Sequence, residues 1–112
     1  MSKTIFLFET NKIDRTILAQ RFKMNGYKII ETDLAEPTPE IFAGNEYPDL
    51  FLIDIKIGTT PLAKFIEFAK TEQKIIIVTT NKEHLVQANM MVEMGANDYI
   101  LKPFKIELVR SR

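Results

Sequence analysis

The sequence predicts a single doubly wound α/β domain, a five-stranded parallel sheet with helices on both faces, and three observations predict it. Short apolar runs without period-two alternation recur along the 112 residues, as expected of strands covered on both faces. Stretches with helical apolar spacing separate them, and such β-α alternation builds a parallel sheet with right-handed crossovers. The residues at the ends of the runs are carboxylates, hydroxyls and an amine, and chemistry in a sheet of this kind collects where the strands end.

The first run is Thr4–Phe8. It leads into a helical stretch from Asp14 to Asn25 that places Ile17, Leu18 and Phe22 on one face and stops at Gly26. Tyr27–Ile30 is a weaker second strand, and Pro37–Gly44 a second helical segment with Ile41 and Phe42 as its strong apolar pair. Leu50–Ile53 is the third strand. The third helix, Pro61–Lys70, carries Leu62, Phe65, Ile66 and Ala69 at i, i+3, i+4 and i+7. Ile75–Val78 and Tyr99–Leu101 are the fourth and fifth strands. Between them Lys82–Met94 turns Leu85, Ala88, Met91 and Val92 inward and ends at Gly95. Phe104–Arg112 closes the chain with about two helical turns. β-branched and aromatic residues dominate the five runs, which favours strand over buried helix.

Composition narrows the function. Lys and Arg balance Asp and Glu at 15 each, so no net charge argues for direct nucleic-acid binding. Cysteine is absent, which removes disulfides, zinc knuckles and thiol catalysis, and one histidine, His84, cannot build a His cluster. His84 is read as exposed and without a catalytic role. Met90, Met91 and Met94 are read as core packing, with an outward member available to a partner. There is no run of signal-peptide or membrane-span length, so the expectation is a cytoplasmic protein without a membrane partner. With four glycines and none in the first βα turn, neither a dinucleotide fingerprint nor a P-loop is present. Glu9-Thr10-Asn11-Lys12 is a poor flavin-phosphate loop, because its carboxylate repels phosphate.

The strand ends carry Glu9-Thr10, Asp54, Thr79-Thr80 and Lys102-Pro103. Each alone has an ordinary explanation, since a strand-end Asp caps helices and a strand-end Thr suits a sheet. Together they form a specific set. Pro48–Ile55, Lys74–Thr79 and Gly95–Phe104 resemble the strands of the two-component response-regulator receiver family, and Arg15 with Gly26-Tyr27 fits its first helix. The resemblance runs along the chain up to a shortened last helix. It implies a flavodoxin-like sheet of order 2-1-3-4-5, with residues 1–112 as one receiver domain, standing alone or as a piece of a longer protein. It implies Asp54 as phosphoacceptor, Lys102 and Thr79 as catalytic partners, Thr79 and Tyr99 as the switch pair, and a cis Lys102-Pro103 peptide that aims the lysine inward.

The same resemblance implies Mg²⁺ as cofactor, held by Glu9 and Asp54, but weakly: Thr10 stands where a second adjacent acid binds the ion directly. Lys56, two positions after Asp54, is a candidate to swing its ammonium in as a substitute for the metal; a solvated Lys56 is the ordinary alternative. Ile57-Gly58 replaces the usual Met-Pro, and Thr80 replaces a small residue beside the phosphoryl pocket. The implied partners are a histidine kinase or phosphotransfer protein, and an output domain, a separate protein or a second copy on the face made by the fourth helix, fifth strand and fifth helix. The implied activity is a phosphorylation-dependent or atypical switch, with no enzymology beyond self-catalysed transfer to and from Asp54. The alternative is a pseudo-receiver, a protein-interaction module that works without phosphorylation.

Overall fold

The computed structural model describes residues 3–32, 39–42 and 48–110. Strands β1 (Thr4–Phe8), β2 (Lys28–Glu31), β3 (Leu50–Asp54), β4 (Ile75–Thr80) and β5 (Asp98–Leu101) form one sheet of order β2-β1-β3-β4-β5. Every pairing is parallel. The helices are α1 (Lys12–Met24), α2 (Thr59–Thr71), α3 (Leu85–Met94) and α4 (Ile106–Arg110). This is the fold the receiver resemblance implies.

Alternation along each strand explains why the runs read as continuously apolar. Ile5, Leu7, Leu52, Ile77 and Ile100 face one layer, where Leu18, Ala19 and Phe22 of α1 pack with Ile106 and Val109 of α4. Phe6, Phe8, Phe51, Ile53, Ile76 and Val78 face the other, under Leu62, Phe65, Ile66 and Ala69 of α2 and Ala88 and Met91 of α3. Both faces are buried, so neither residue parity is free to be polar. Three phenylalanines anchor the second layer: Phe6, Phe51 and Phe65 are fully buried, with ring centroids 5.5–5.7 Å apart. Contacts of this kind add to the large apolar area each ring removes from water.

Five local expectations change. In α1 the inward face is Leu18, Ala19 and Phe22, whereas Ile17 is 42% exposed. The small Ala19 lets the helix lie close to the sheet, and Ile17 then falls on its flank. The segment expected to be helical over Pro37–Gly44 shows a 3₁₀ turn at Pro39–Phe42, and its remaining residues lie outside those described. The stretch from Lys82 begins as a 3₁₀ turn (Lys82–His84) and becomes α-helical only at Leu85. His84 there is partly buried, its backbone N–H and Nδ1 both meeting Asn81 Oδ1 (3.2 and 2.7 Å). The closing helix is one short piece, Ile106–Arg110 within the described residues.

Gly95 ends α3 at φ +129°, and the side chain of Lys70 crosses the space a Cβ would fill, with Nζ donating to Met94 O at 2.8 Å. The backbone angle favours glycine there, whereas the crossing lysine is the flexible end of a side chain that can swing aside. The turn sets the start of β5 and hence the position of Lys102. No helix among the described residues is long and apolar enough to cross a membrane.

Candidate functional site: an acidic pair bridged by lysine at the strand ends

The register of the central strands assembles the site. Phe8 pairs with Ile53 and Asp54 with Thr79, so Glu9, one residue past β1, emerges beside Asp54. Leu101 pairs with Thr80, and the Lys102 N–H continues the ladder to Thr80 O at 2.8 Å. The Lys102-Pro103 peptide is cis. The Lys102 ammonium donates to Glu9 Oε1 at 2.7 Å and stands 3.4 Å from Asp54 Oδ2. Residues 93 positions apart therefore meet over an acidic pair that is almost wholly buried, Glu9 at 1% and Asp54 at 0% exposure.

Every carboxylate oxygen of the pair is occupied. Glu9 Oε2 accepts the Asn11 N–H (3.0 Å), and Asp54 Oδ1 accepts the Lys56 N–H (3.1 Å). Asp54 Oδ2 accepts from Thr10 twice, from Oγ1 at 2.7 Å and N–H at 3.2 Å, in addition to the approach of Lys102. Asp54 thus also performs the ordinary duty of a strand-end aspartate, capping the 3₁₀ turn Ile55–Ile57.

The two acids respond to burial differently. For Asp54 burial is the largest influence and pushes its pKa up, but the interaction with Glu9, the hydrogen bonds from Thr10 and Lys56, and the charge of Lys102 together pull it down to about 2. Glu9 goes the other way: burial raises it, the neighbouring Asp54 adds to the rise, and Asn11 and Lys102 offset only part. For Lys102 burial acts to lower the pKa, and the bond to Glu9 with the charges of both carboxylates overrides it, so the pKa is raised. Lys102 is thus the counter-charge that both carboxylates share.

The same donors decide how the site suits a metal. Mg²⁺ requires several oxygen ligands in a near-octahedral shell, usually including carboxylates. Here two carboxylates are saturated by protein donors and the third position is the neutral hydroxyl of Thr10. Among the described residues no trio of His, Asp or Glu side chains is placed to hold an ion. The residues present do not fit a tightly bound Mg²⁺.

With this geometry established, similarity to known proteins is informative. Residues 5–112 match the family described as the response regulator receiver domain. The chain belongs to that family. It is 30% identical over 96% of its length to a cyclic di-GMP phosphodiesterase of Thermotoga maritima, covering 29% of that protein. It is 29% identical over its whole length to the alkaline phosphatase synthesis transcriptional regulatory protein PhoP of Bacillus subtilis, covering 47%. Among solved structures, the receiver domain of the TMAO respiratory system response regulator TorR superposes with a TM-score of 0.81 at 24% identity, over 98% of this chain and 92% of that one. The chain spans less than half the length of these two curated relatives.

Receiver domains of this family are phosphoacceptor switches that work with histidine kinases and output domains, and they typically bind Mg²⁺ in the acidic pocket. The structure brings Glu9, Thr10, Asp54, Thr79 and Lys102 to one rim. Tyr99, one residue from Ile100, the partner of Thr79, is half-buried against the phenylalanine layer. Lys56 does not supply the metal-like cation that its position suggested. It reaches Asp54 through its backbone N–H, its side chain is exposed, and the ammonium between the acids is that of Lys102. Thr80 is fully buried, its hydroxyl donating to Asn81 O at 2.9 Å.

Sequence reasoning missed three supports. Asn11 caps α1 through its Oδ1 and fixes Glu9 through its N–H. Arg15, used only to align the first helix, donates from a guanidinium nitrogen to Glu9 O at 2.8 Å. The amide of Lys56 rather than its ammonium serves Asp54. An Asn directly before a helix is a readable capping signal; the other two are backbone contacts that side-chain patterns do not reveal.

Proposed function

We propose that Asp54 is the phosphoacceptor of this receiver and that its chemistry leans on Lys102 instead of a tightly held metal. A carboxylate oxygen of Asp54 attacks the phosphorus of a phosphohistidine on a histidine kinase or phosphotransfer protein. The new O–P bond forms an acyl phosphate, the N–P bond breaks, and its electron pair leaves on the imidazole nitrogen. Transfer of this kind is catalysed chiefly by positioning and by neutralising charge on the phosphoryl oxygens. Lys102, 3.4 Å from Asp54 Oδ2, is the observation that carries this reading. Thr79, in register with Asp54, supplies a hydroxyl, and its movement with Tyr99 would report phosphorylation. The chain carries out no other catalysis and works in the cytoplasm.

The output face is α3, β5 and α4. Val86, Met90 and Met94 recur every four residues along α3 at 71%, 48% and 46% exposure, with Leu101 and Leu108 also exposed. An apolar stripe of this kind suits an output domain, a protein partner or a second copy.

The test is reaction with phosphoramidate or acetyl phosphate, with and without Mg²⁺, read by intact mass. One added phosphoryl group, absent from Asp54→Asn, is expected. No modification under conditions that label an ordinary receiver refutes the acceptor role. The second reading, a phosphorylation-independent pseudo-receiver, draws on the two hydrogen bonds by which Thr10 covers Asp54 Oδ2. It requires partner binding to be unchanged in Asp54→Asn.

A further inference from the structure

Between α1 and the segment leaving β5 lies a cavity of about 450 Å³, within the usual range of small-molecule sites. Its apolar wall includes Ile17, Leu18 and Phe104. The charged side chains lining it are Arg21, Lys56 and Lys102 against one carboxylate, Asp14. Lys102 is already paired with Glu9 and Asp54, so the cationic excess around this apolar hollow is that of Arg21 and Lys56 over Asp14, in a chain whose 15 cationic and 15 anionic side chains balance. Arg21 also lines an adjoining depression with Lys105 and Ile106, which extends the same character toward α4.

We propose that this cavity binds a small amphipathic organic anion, its tail against Ile17, Leu18 and Phe104 and its acid group at Arg21 and Lys56. The proposal accounts for two features left over from the acceptor site. Ile17 is an apolar residue that the core does not use, and it is 42% exposed where it lines the cavity. Lys56 carries an exposed ammonium that the carboxylates do not take up, and it lines the same hollow. The site also touches the acceptor: Lys102 lines the cavity while its ammonium bonds Glu9 and approaches Asp54. An acid group entering there competes with the buried carboxylates for Lys102, so occupancy and the state of Asp54 are thermodynamically linked, each altering the other. The binding itself does not depend on Asp54 being phosphorylated.

The experiment is a titration of the ¹⁵N-labelled chain, followed by amide shifts, with decanoate as probe below its micelle concentration, and with octanol and inorganic phosphate in separate arms. Saturable decanoate binding is expected, about tenfold or more tighter than either control. The moving amides should include Ile17, Arg21 and Phe104, and also Thr10 and Lys56, whose N–H groups donate to Asp54. Arg21→Glu with Lys56→Glu should weaken decanoate about tenfold or more while the spectrum stays dispersed. If the double variant loses dispersion, Lys56→Gln alone makes the comparison, with a smaller weakening expected. Octanol binding as tightly as decanoate, affinity unchanged in the variants, no saturable binding, or shifts confined to Val86, Met90 and Met94 would each overturn the proposal.

Discussion

On the β4–β5 side of the strand-end rim, Thr79 lies in register with Asp54, and Lys102, behind a cis proline, places its ammonium 2.7 Å from Glu9 and 3.4 Å from Asp54. On the β1 side, Glu9 is turned toward that lysine and Thr10 donates two hydrogen bonds to Asp54 in place of an acid. The first side presents positive charge and a hydroxyl, groups suited to phosphoryl oxygens. The second sets a neutral hydroxyl beside Glu9 and uses it, with the backbone N–H of the same residue, to hold Asp54 still. The difference teaches that the two halves of a receiver site are separable: one can keep its geometry while the other is rebuilt for hydrogen bonding.

The largest expected effect comes from removing the cation. Lys102→Met leaves two buried carboxylates facing each other without a counter-charge, and breaking such a buried pair costs about 3 kcal/mol. Urea denaturation at neutral pH should show that loss, and phosphoramidate labelling of Asp54 should fall to background. A loss of stability below 1 kcal/mol, by the same measure, would show that solvent already screens the pair.

Much of this rim is legible in the amino-acid sequence. The ends of β3, β4 and β5 lead to Asp54, Thr79 and Lys102, because strand ends in a parallel sheet map directly onto a shared edge, and the receiver resemblance adds Tyr99 from within β5. The helical spacing in α2 picks out its four buried residues without error, since Leu62, Phe65, Ile66 and Ala69 all face a fully covered sheet. α1 is less legible: Ile17 and Leu18 are adjacent apolar residues, and only the depth to which Ala19 admits the helix decides which one packs. Lys56 is illegible for a different reason. Spacing shows that a side chain could reach a pocket, but not that Lys102 arrives there first from much farther along the chain.

A smaller, opposed pair of effects should appear with pH. Asp54 is held at about 2, below its ordinary 3.8, so the folded state binds fewer protons than the unfolded one in that window. Its contribution, about 2 kcal/mol, is fully present above pH 4 and is lost as pH falls toward 2. Glu9 is raised above its ordinary 4.5, so the folded state holds the extra proton and stability falls as pH rises through that window. Thermal unfolding from pH 2 to 7 should therefore show a maximum near pH 4–5 in the contribution of this pair. Glu9→Gln should flatten the upper limb and leave the acid limb attributable to Asp54. An upper limb that persists in Glu9→Gln would move its origin elsewhere.

The smallest expected effect is the one that tests whether the β1 side was rebuilt or merely weakened. Thr10→Asp removes the hydroxyl donor over Asp54 Oδ2, keeps the backbone N–H, and adds a carboxylate to the rim. Without metal, three acids then share one lysine, and like-charge repulsion should lower stability. With Mg²⁺ the same three acids become oxygen ligands for a hard cation, and affinity should rise at least about tenfold over the native chain, equivalent to about 1.4 kcal/mol. Titration followed by the fluorescence of the tyrosines, two of which, Tyr27 and Tyr99, lie within the described residues, reads this directly. Thr10→Val separates the two contributions, since it deletes the hydrogen bond from Oγ1 without adding charge. If Val and Asp both improve Mg²⁺ binding, the hydroxyl was acting as a lid on Asp54. If only Asp does, the missing charge is the whole deficit. Tight Mg²⁺ binding by the native chain would instead require Lys102 to leave the acidic pair when the ion arrives, making the lysine the mobile partner and Thr10 a bystander.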